Sequence, residues 1–332
     1  MTAIKPMSRI YQKISNAGFN QAYINKLLPE WWDERLAETA VGRQYASLFL
    51  ARAFSLSPES LKDESHVASF SFDGRNRFKH RVNVGEDDLT VATAVAYSAA
   101  RVAANNFGID YDPTVSLEWS DIRNQLLKDA PYVTLPALVR FCHMAGIPVV
   151  YVKNFPAKAC KMAGLALLCS GRPVIVLTQV KKHGMMLFDL AHELGHIAKG
   201  HLKDSQDGVF VDKKIDSKDT AKLEGEANRF AFGVIAGKEA LNIKPVSRYL
   251  TAEQLAHAAL TFGKANAIDP THVALNYGYS MGHWGVATNA LKILCEDAPS
   301  DQDIVRTMLM NDLDEDNIND DDLELLTALC GA

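Results

Sequence analysis

The chain is poor in the features that sort a protein quickly. Its five cysteines (Cys142, Cys160, Cys169, Cys295 and Cys330) are odd in number and scattered, and no two form a C-x-x-C pair. That argues against a disulfide framework and against a thiolate metal site, and predicts reduced thiols in a cytoplasmic setting. No apolar run reaches the roughly 18 residues that a membrane-spanning helix needs, so no membrane partner is expected. The opening residues, MTAIKPMSRIYQKISNAGFN, have no apolar core and predict no secretory signal. Charge of one sign is scarce as well. Thirty-five basic residues stand against 40 acidic ones, a net charge of −5 that gives the whole chain no general attraction for nucleic acid. A phosphate-binding glycine loop, a dinucleotide fingerprint, a nucleophile elbow and internal repeats are all missing.

What remains is a chain of 332 residues, 48% hydrophobic and 23% charged, long enough for two or three domains. Its most informative stretch is residues 187–201, LFDLAHELGHIAKGH, which contains His192-Glu193-Leu194-Gly195-His196. By composition alone an H-E-x-x-H string would arise with a chance of at most roughly 4%. The context favours chemistry over accident. Leu187, Leu190, Ala191, Leu194 and Ala198 make the apolar stripe of a buried helix, and Gly200 is a natural stop after it. Residues four apart on a helix share a face, about 5–6 Å between β-carbons. His192 and His196 can therefore offer two imidazole nitrogens to one Zn²⁺, with Glu193 placed to take a proton from water. The alternative is a core helix that carries two hydrogen-bonded histidines.

A catalytic zinc needs a third protein ligand. Residues 222–236, KLEGEANRFAFGVIA, read as a second helix whose apolar side is Leu223, Ala227, Phe230, Ala231 and Val234. Glu224 shares a face with Asn228 and is the favoured ligand, with Asn228 placed to orient a ligand histidine. Glu226 is the other candidate. It points about 200° away on the helix and is expected to face solvent. His183 and His201, near the ends of the first helix, read as surface histidines, with extra donors as the alternative. Tyr277, Tyr279 and His283 (in YGYSMGHWG) are candidates to stabilise an oxyanion, against aromatic packing near a turn.

The pair of strings His192-Glu-Leu-Gly-His196 and Glu224-Gly-Glu-Ala-Asn228-Arg-Phe-Ala231 resembles the ImmA/IrrE family of bacterial zinc metallopeptidases. The lead-in is similar too: a helix over 135–146, a strand over 147–153, and a hairpin of 163–169 with 173–178 around Ser170-Gly171-Arg172. The likeness spans roughly residues 115–240. It implies a mostly helical α+β fold, with a small zincin-like metallopeptidase core and a short β-sheet, flanked by helical N- and C-terminal regions. The expected division is 1–112, 113–240 and 241–332. The resemblance implies a zinc-dependent endopeptidase with His192, His196 and Glu224 as ligands and Glu193 as general base. It also implies strand-addition binding of substrate near 173–178. The implied partner is a protein substrate, a DNA-binding helix-turn-helix repressor cleaved during stress or mobile-element induction. The competing class is a non-proteolytic binding module, an antitoxin or a repressor-associated regulator, that keeps a zinc site. One departure is the long polar connection between the two helices, which reads as a loop.

The flanks carry weaker signals. Residues 27–38 and 89–106 predict helices, the second Ala-rich and buried. Residues 42–62 have the rhythm of a helix, a turn and a capped second helix, a helical packing module with DNA contact as the alternative. The basic patch at 75–81 (RNRFKHR) reads as a solvated loop. Residues 252–263 and 271–294 predict further helices. Between 296 and 324, twelve acidic residues face one basic residue, Arg306, and a solvated acidic helix and tail is the expectation. A docking strip for a basic partner is the alternative.

Overall fold

The computed structural model describes residues 6–62, 67–72, 86–157, 159, 162–181, 184–202, 209–211, 218–245 and 249–331. The basic patch at 75–81, Cys160 and His183 lie outside that set. The N-terminal part is helical: α1 (Pro6–Asn16), α2 (Gln21–Leu27), a 3₁₀ turn (Glu34–Glu38), α3 (Ala40–Ala53), α4 (Pro58–Lys62) and the long α5 (Glu86–Asn105). Helices α6 (Trp119–Leu126) and α7 (Leu135–Met144) lead into strands β1 (Val149–Tyr151), β2 (Gly164–Cys169) and β3 (Arg172–Leu177). Then come α8 (Met185–Ala198), β4 (Val209–Val211) and α9 (Lys218–Ala236). The C-terminal part is α10 (Ala252–Asn266), α11 (Pro270–Met281), α12 (Trp284–Leu294), α13 (Asp301–Asn311) and α14 (Asp320–Cys330). This is the mostly helical α+β arrangement with a small sheet that the sequence predicts. Among the described residues no helix is long and apolar enough to cross a membrane.

The sheet is mixed, with strand order β1-β3-β2-β4. β1 runs parallel to β3, and β2 is antiparallel to both β3 and β4. β2 and β3 form a hairpin in the register Cys169↔Arg172. Its two-residue turn has Ser170 and Gly171 both at positive φ, the conformation that matches the strands' twist. Both faces of the sheet are covered, which explains strands with continuous apolar sequence. Val150, Leu165, Leu167, Val174 and Val176 face a core made by the N-terminal helices and α14. Val149, Tyr151, Ile175 and Leu177 face a second core made by α6–α12. Alanines 92, 96, 99, 100 and 103 of α5 are fully buried, and their small side chains let the helix lie close on the first face.

Several elements differ from expectation. The helix predicted over 27–38 does not form. Leu28 precedes Pro29 and is extended (φ −73°, ψ 135°), as a pre-proline residue prefers, and Asp33 then caps a separate 3₁₀ turn. The helix predicted over 271–294 breaks at Gly282, whose φ of +69° ends α11. Residues 42–62 hold a full helix followed by one of five residues, in which Ser60 and Leu61 are buried, too short for a recognition helix. β4 forms inside the connection that reads as a loop; three residues carry little pattern, and pairing with β2 makes them a strand. β3, the expected edge strand, is interior because β1 and β2 pair on either side of it. The acidic segment is not a free tail. Leu325, Leu326, Leu329 and Cys330 are buried, and its carboxylates serve this chain's own donors. Asp321 accepts from Trp31 Nε1 (2.9 Å) and Tyr45 Oη (2.7 Å), Glu324 from the Glu30 amide (3.1 Å), and Asp322 pairs with Arg52 at 3.0 Å.

One buried charge ties α6 to the end of α9. Arg123 donates to the carbonyls of Val234 (3.0 Å), Ile235 (2.7 Å) and Ala267 (2.7 Å). The first two are last-turn carbonyls that have no partner within the helix, and a cation there also suits the helix dipole. Burial pushes the guanidinium pKa down, but an arginine stays charged. Replacing Arg123 by Met should therefore cost about 2–4 kcal/mol, because two buried carbonyls and a partly buried one lose a charged donor. Urea unfolding would measure it; a loss under about 0.5 kcal/mol, the range of an ordinary surface substitution, would refute this account.

Candidate metal centre

α8 is almost wholly interior from Met186 to His196. His192 is 7% exposed, Glu193 1% and His196 0%. Gly195, between the two histidines' turns, is the point where α9 crosses. A β-carbon built there would lie 3.1 Å from both Ala227 Cα and Phe230 Cδ1, tighter than an ordinary contact, so the glycine eases this close approach of the two helices. α8 then stops in a Schellman turn. Gly200 (φ +74°) donates to the Ile197 carbonyl and His201 donates to the His196 carbonyl, each at 3.0 Å. That turn folds His201 back over His196.

The crossing brings the donor groups of three residues together. His192 Nε2 lies 3.1 Å from His196 Nε2 and 3.2 Å from Glu224 Oε2, and His196 Nε2 is 3.6 Å from Glu224 Oε1. Tetrahedral bonds of about 2.0–2.1 Å require ligand atoms about 3.3–3.4 Å apart, so these spacings, each taken to the nearer Glu224 oxygen, have the scale of a zinc tetrahedron's edges. Among the described residues these three are also the one set of histidine, cysteine or carboxylate groups close enough to hold an ion. Glu224 Oε1 is buried with no hydrogen-bond partner, an atom with unused acceptor capacity facing the histidines. Two imidazoles and a carboxylate are a donor set that suits Zn²⁺, so the residues present fit the metal. His192 Nδ1 lies 3.1 Å from Asn228 Oδ1, which leaves its Nε2 directed at the triangle. Burial, with smaller contributions from His192 and His201, pushes the His196 pKa down to about 2, so the ring is neutral and able to ligate at pH 7.

Glu193 leans against the start of β2. A β-carbon on Gly164 would come within 2.8 Å of Glu193 Oε1 and 2.9 Å of its Cγ, so the glycine makes room for this side chain. Asp189, one turn earlier on α8, is paired with Lys181 at 2.6 Å; its pKa is raised because burial outweighs that pairing.

The sequence reading needs three corrections here. Glu226 is half-buried and does not project freely into solvent: its Oε2 lies 3.1 Å from His201 Nε2. His201 is not a surface residue; it is buried, with Nδ1 2.8 Å from His196 Nδ1. A helical wheel considers α8 alone as neighbour to α9, whereas the segment after α8 supplies a second one. Gly200 was a readable signal, since a Schellman turn always sets the residue after glycine beside the one five back. Tyr277, Tyr279 and His283 are not brought to the triangle. The Tyr277 hydroxyl accepts from the Leu250 amide (3.3 Å), Tyr279 is 76% exposed, and His283 packs on Tyr249. α11 meets α8 at its own N-terminal end instead. There His272 is buried against Phe188 and Phe232, a contact that no sequence pattern announces.

With this geometry in hand, comparison with known proteins is informative. Residues 145–258 match the model of a peptidase family described as the IrrE N-terminal-like domain. That segment carries the sheet, α8 and α9, and it is similar to this peptidase family. No curated protein and no solved structure matches the chain.

The buried histidines set a pH dependence. Burial lowers the His272 pKa from 6.5 to about 4, so this ring folds neutral and must gain a proton on unfolding in acid. Its contribution is intact above pH 6.5 and falls away by about 3 kcal/mol as pH drops to 4. Chelator-treated protein should therefore lose urea stability over that window, and His272→Leu should flatten the loss. An unchanged slope in the variant would rule this origin out.

Proposed function

We propose that the chain is a zinc-dependent endopeptidase that cleaves a specific protein partner, a helix-turn-helix transcriptional repressor, in a stress or mobile-element response. The convergence of His192, His196 and Glu224 beside an intact Glu193 carries this reading, because a purely structural site has no use for a general base. The match to a peptidase family supports a protein substrate; the repressor and the stress context come from the family resemblance.

In this reading His192, His196 and Glu224 hold the ion, and Asn228 keeps the His192 ring in place. When bound, Zn²⁺ supplies Lewis acidity toward a carbonyl and acidifies water. Glu193 accepts the proton of the attacking water and delivers it to the leaving amine. The buried walls around α8 keep bulk water away, which strengthens each of these interactions. A substrate segment adds to the sheet at β4, the outer strand nearest Glu193, and not at interior β3.

Glu193→Gln should keep zinc by elemental analysis and lower cleavage by about 10²–10⁴-fold, whereas His196→Ala should lose both. The substrate is found as the protein that co-purifies with Glu193→Gln and is cut by the zinc-loaded wild type, followed by intact mass. A wild-type rate in Glu193→Gln would sink the general-base assignment. A partner that is bound but never cut would favour the non-proteolytic binding module. Gly164→Ala should keep the fold and zinc but slow cleavage by displacing Glu193; a normal rate would show that the contact is irrelevant.

A further inference from the structure

His201 and Glu226 have no part in the reading above, yet both sit against the candidate ligands. We infer that Glu226 and His201 form a hydrogen-bonded relay that holds His196 with its proton on Nδ1 and its Nε2 lone pair aimed at the metal. They are then positioning residues for the ion, and the inference rests on the proposed metal centre.

The argument is one of proton placement. A carboxylate only accepts, so the 3.1 Å contact from His201 Nε2 to Glu226 Oε2 puts a proton on that nitrogen. The 2.8 Å contact between His201 Nδ1 and His196 Nδ1 has room for one proton, and a His196 ring whose Nε2 lone pair faces the metal supplies it. His196 therefore carries its proton on Nδ1, and Nε2 is bare. The result is a chain from carboxylate to imidazole to imidazole that ends at the ligand atom.

Two further features support the relay. The ring-to-ring contact is doubled by a backbone one, because the His201 amide donates to the His196 carbonyl at 3.0 Å. His201 is thus anchored to the ligand residue itself by the turn at Gly200. The two ligand histidines also differ in how they are held. His192 has the neutral amide oxygen of Asn228, whereas His196 has an imidazole backed by a negative charge. The charged partner makes the longer chain the stronger one, raising the basicity of the His196 donor.

The test uses the full chain. In metal-free protein labelled with ¹⁵N-histidine, two-bond proton–nitrogen correlations report which ring nitrogen carries the proton. The expected result is Nδ1–H on His196 and Nε2–H on His201. Zinc affinity, measured by competition with a chromophoric chelator, should weaken about 10–100-fold in Glu226→Gln and in His201→Phe, with the metal-free melting temperature unchanged. Glu226→Asp, which keeps the charge, should recover part of the loss. Finding the His196 proton on Nε2, or affinities within twofold of wild type in both variants, would overturn the relay. Where a variant does not fold, the wild-type spectrum decides. Failure of the metal centre itself looks different: folded wild-type protein would then bind no zinc at micromolar concentration, and the relay would fall with it.

Discussion

The close crossing of α8 and α9 at Gly195 and Ala227 is the constraint on which the rest depends. The distance between two helix axes is set by whatever lies between them, and here one of the facing residues has no side chain. A larger residue there would press on Ala227 and Phe230, so the helix that carries Glu224 would have to give by a few tenths of an ångström. The C-terminal end of α9 is tied down accordingly. Arg123 holds its final carbonyls, and the Trp119 indole lies so close to Gly233 that a β-carbon there would sit 2.6 Å from the ring. α6 thus acts as a brace for the helix that supplies the carboxylate.

The second consequence is electrostatic. The donor triangle lies in a region where charge is costly, which is why His196 stays neutral and ready to ligate. Such a place tolerates polar groups only when they are partnered, and each histidine has been given an oriented neighbour: Asn228 for His192, His201 and Glu226 for His196. Donors arranged in this way need little rearrangement to receive an ion. The polar cluster is built into the packing of the two helices.

The sheet divides the labour of the molecule. One face backs α8 and the donor triangle; the other is covered by α5, the N-terminal helices and α14. The acidic stretch belongs to that far side. Its carboxylates clasp Trp31, Tyr45 and Arg52, so a segment with the composition of a solvated tail works as an internal clamp between the two ends of the chain. It does so away from the triangle, and leaves that side of the sheet uncovered by it.

Local patterns were legible in the chain because local rules decide them. The spacing of His192 and His196, the apolar stripe around them, the Ser170-Gly171 hairpin and the partnership of Glu224 with Asn228 all follow from helix or turn geometry over fewer than ten residues. Failures occurred where a long-range neighbour outvoted the local pattern. Glu226 turns inward because His201, twenty-five positions earlier, is folded back over His196. Val209–Val211 is a strand because β2 lies beside it, β3 is interior because β1 pairs on its far side, and Asp321 is engaged because two aromatic residues from the N-terminal part reach it. The sequence by itself determined which side chains are able to bind a metal and move a proton, since that depends on chemical type and helical period. Only the tertiary structure decided which of the spare polar groups stand behind them, because hydrogen bonds act over about 3 Å, a distance that is set by packing and not by position along the chain.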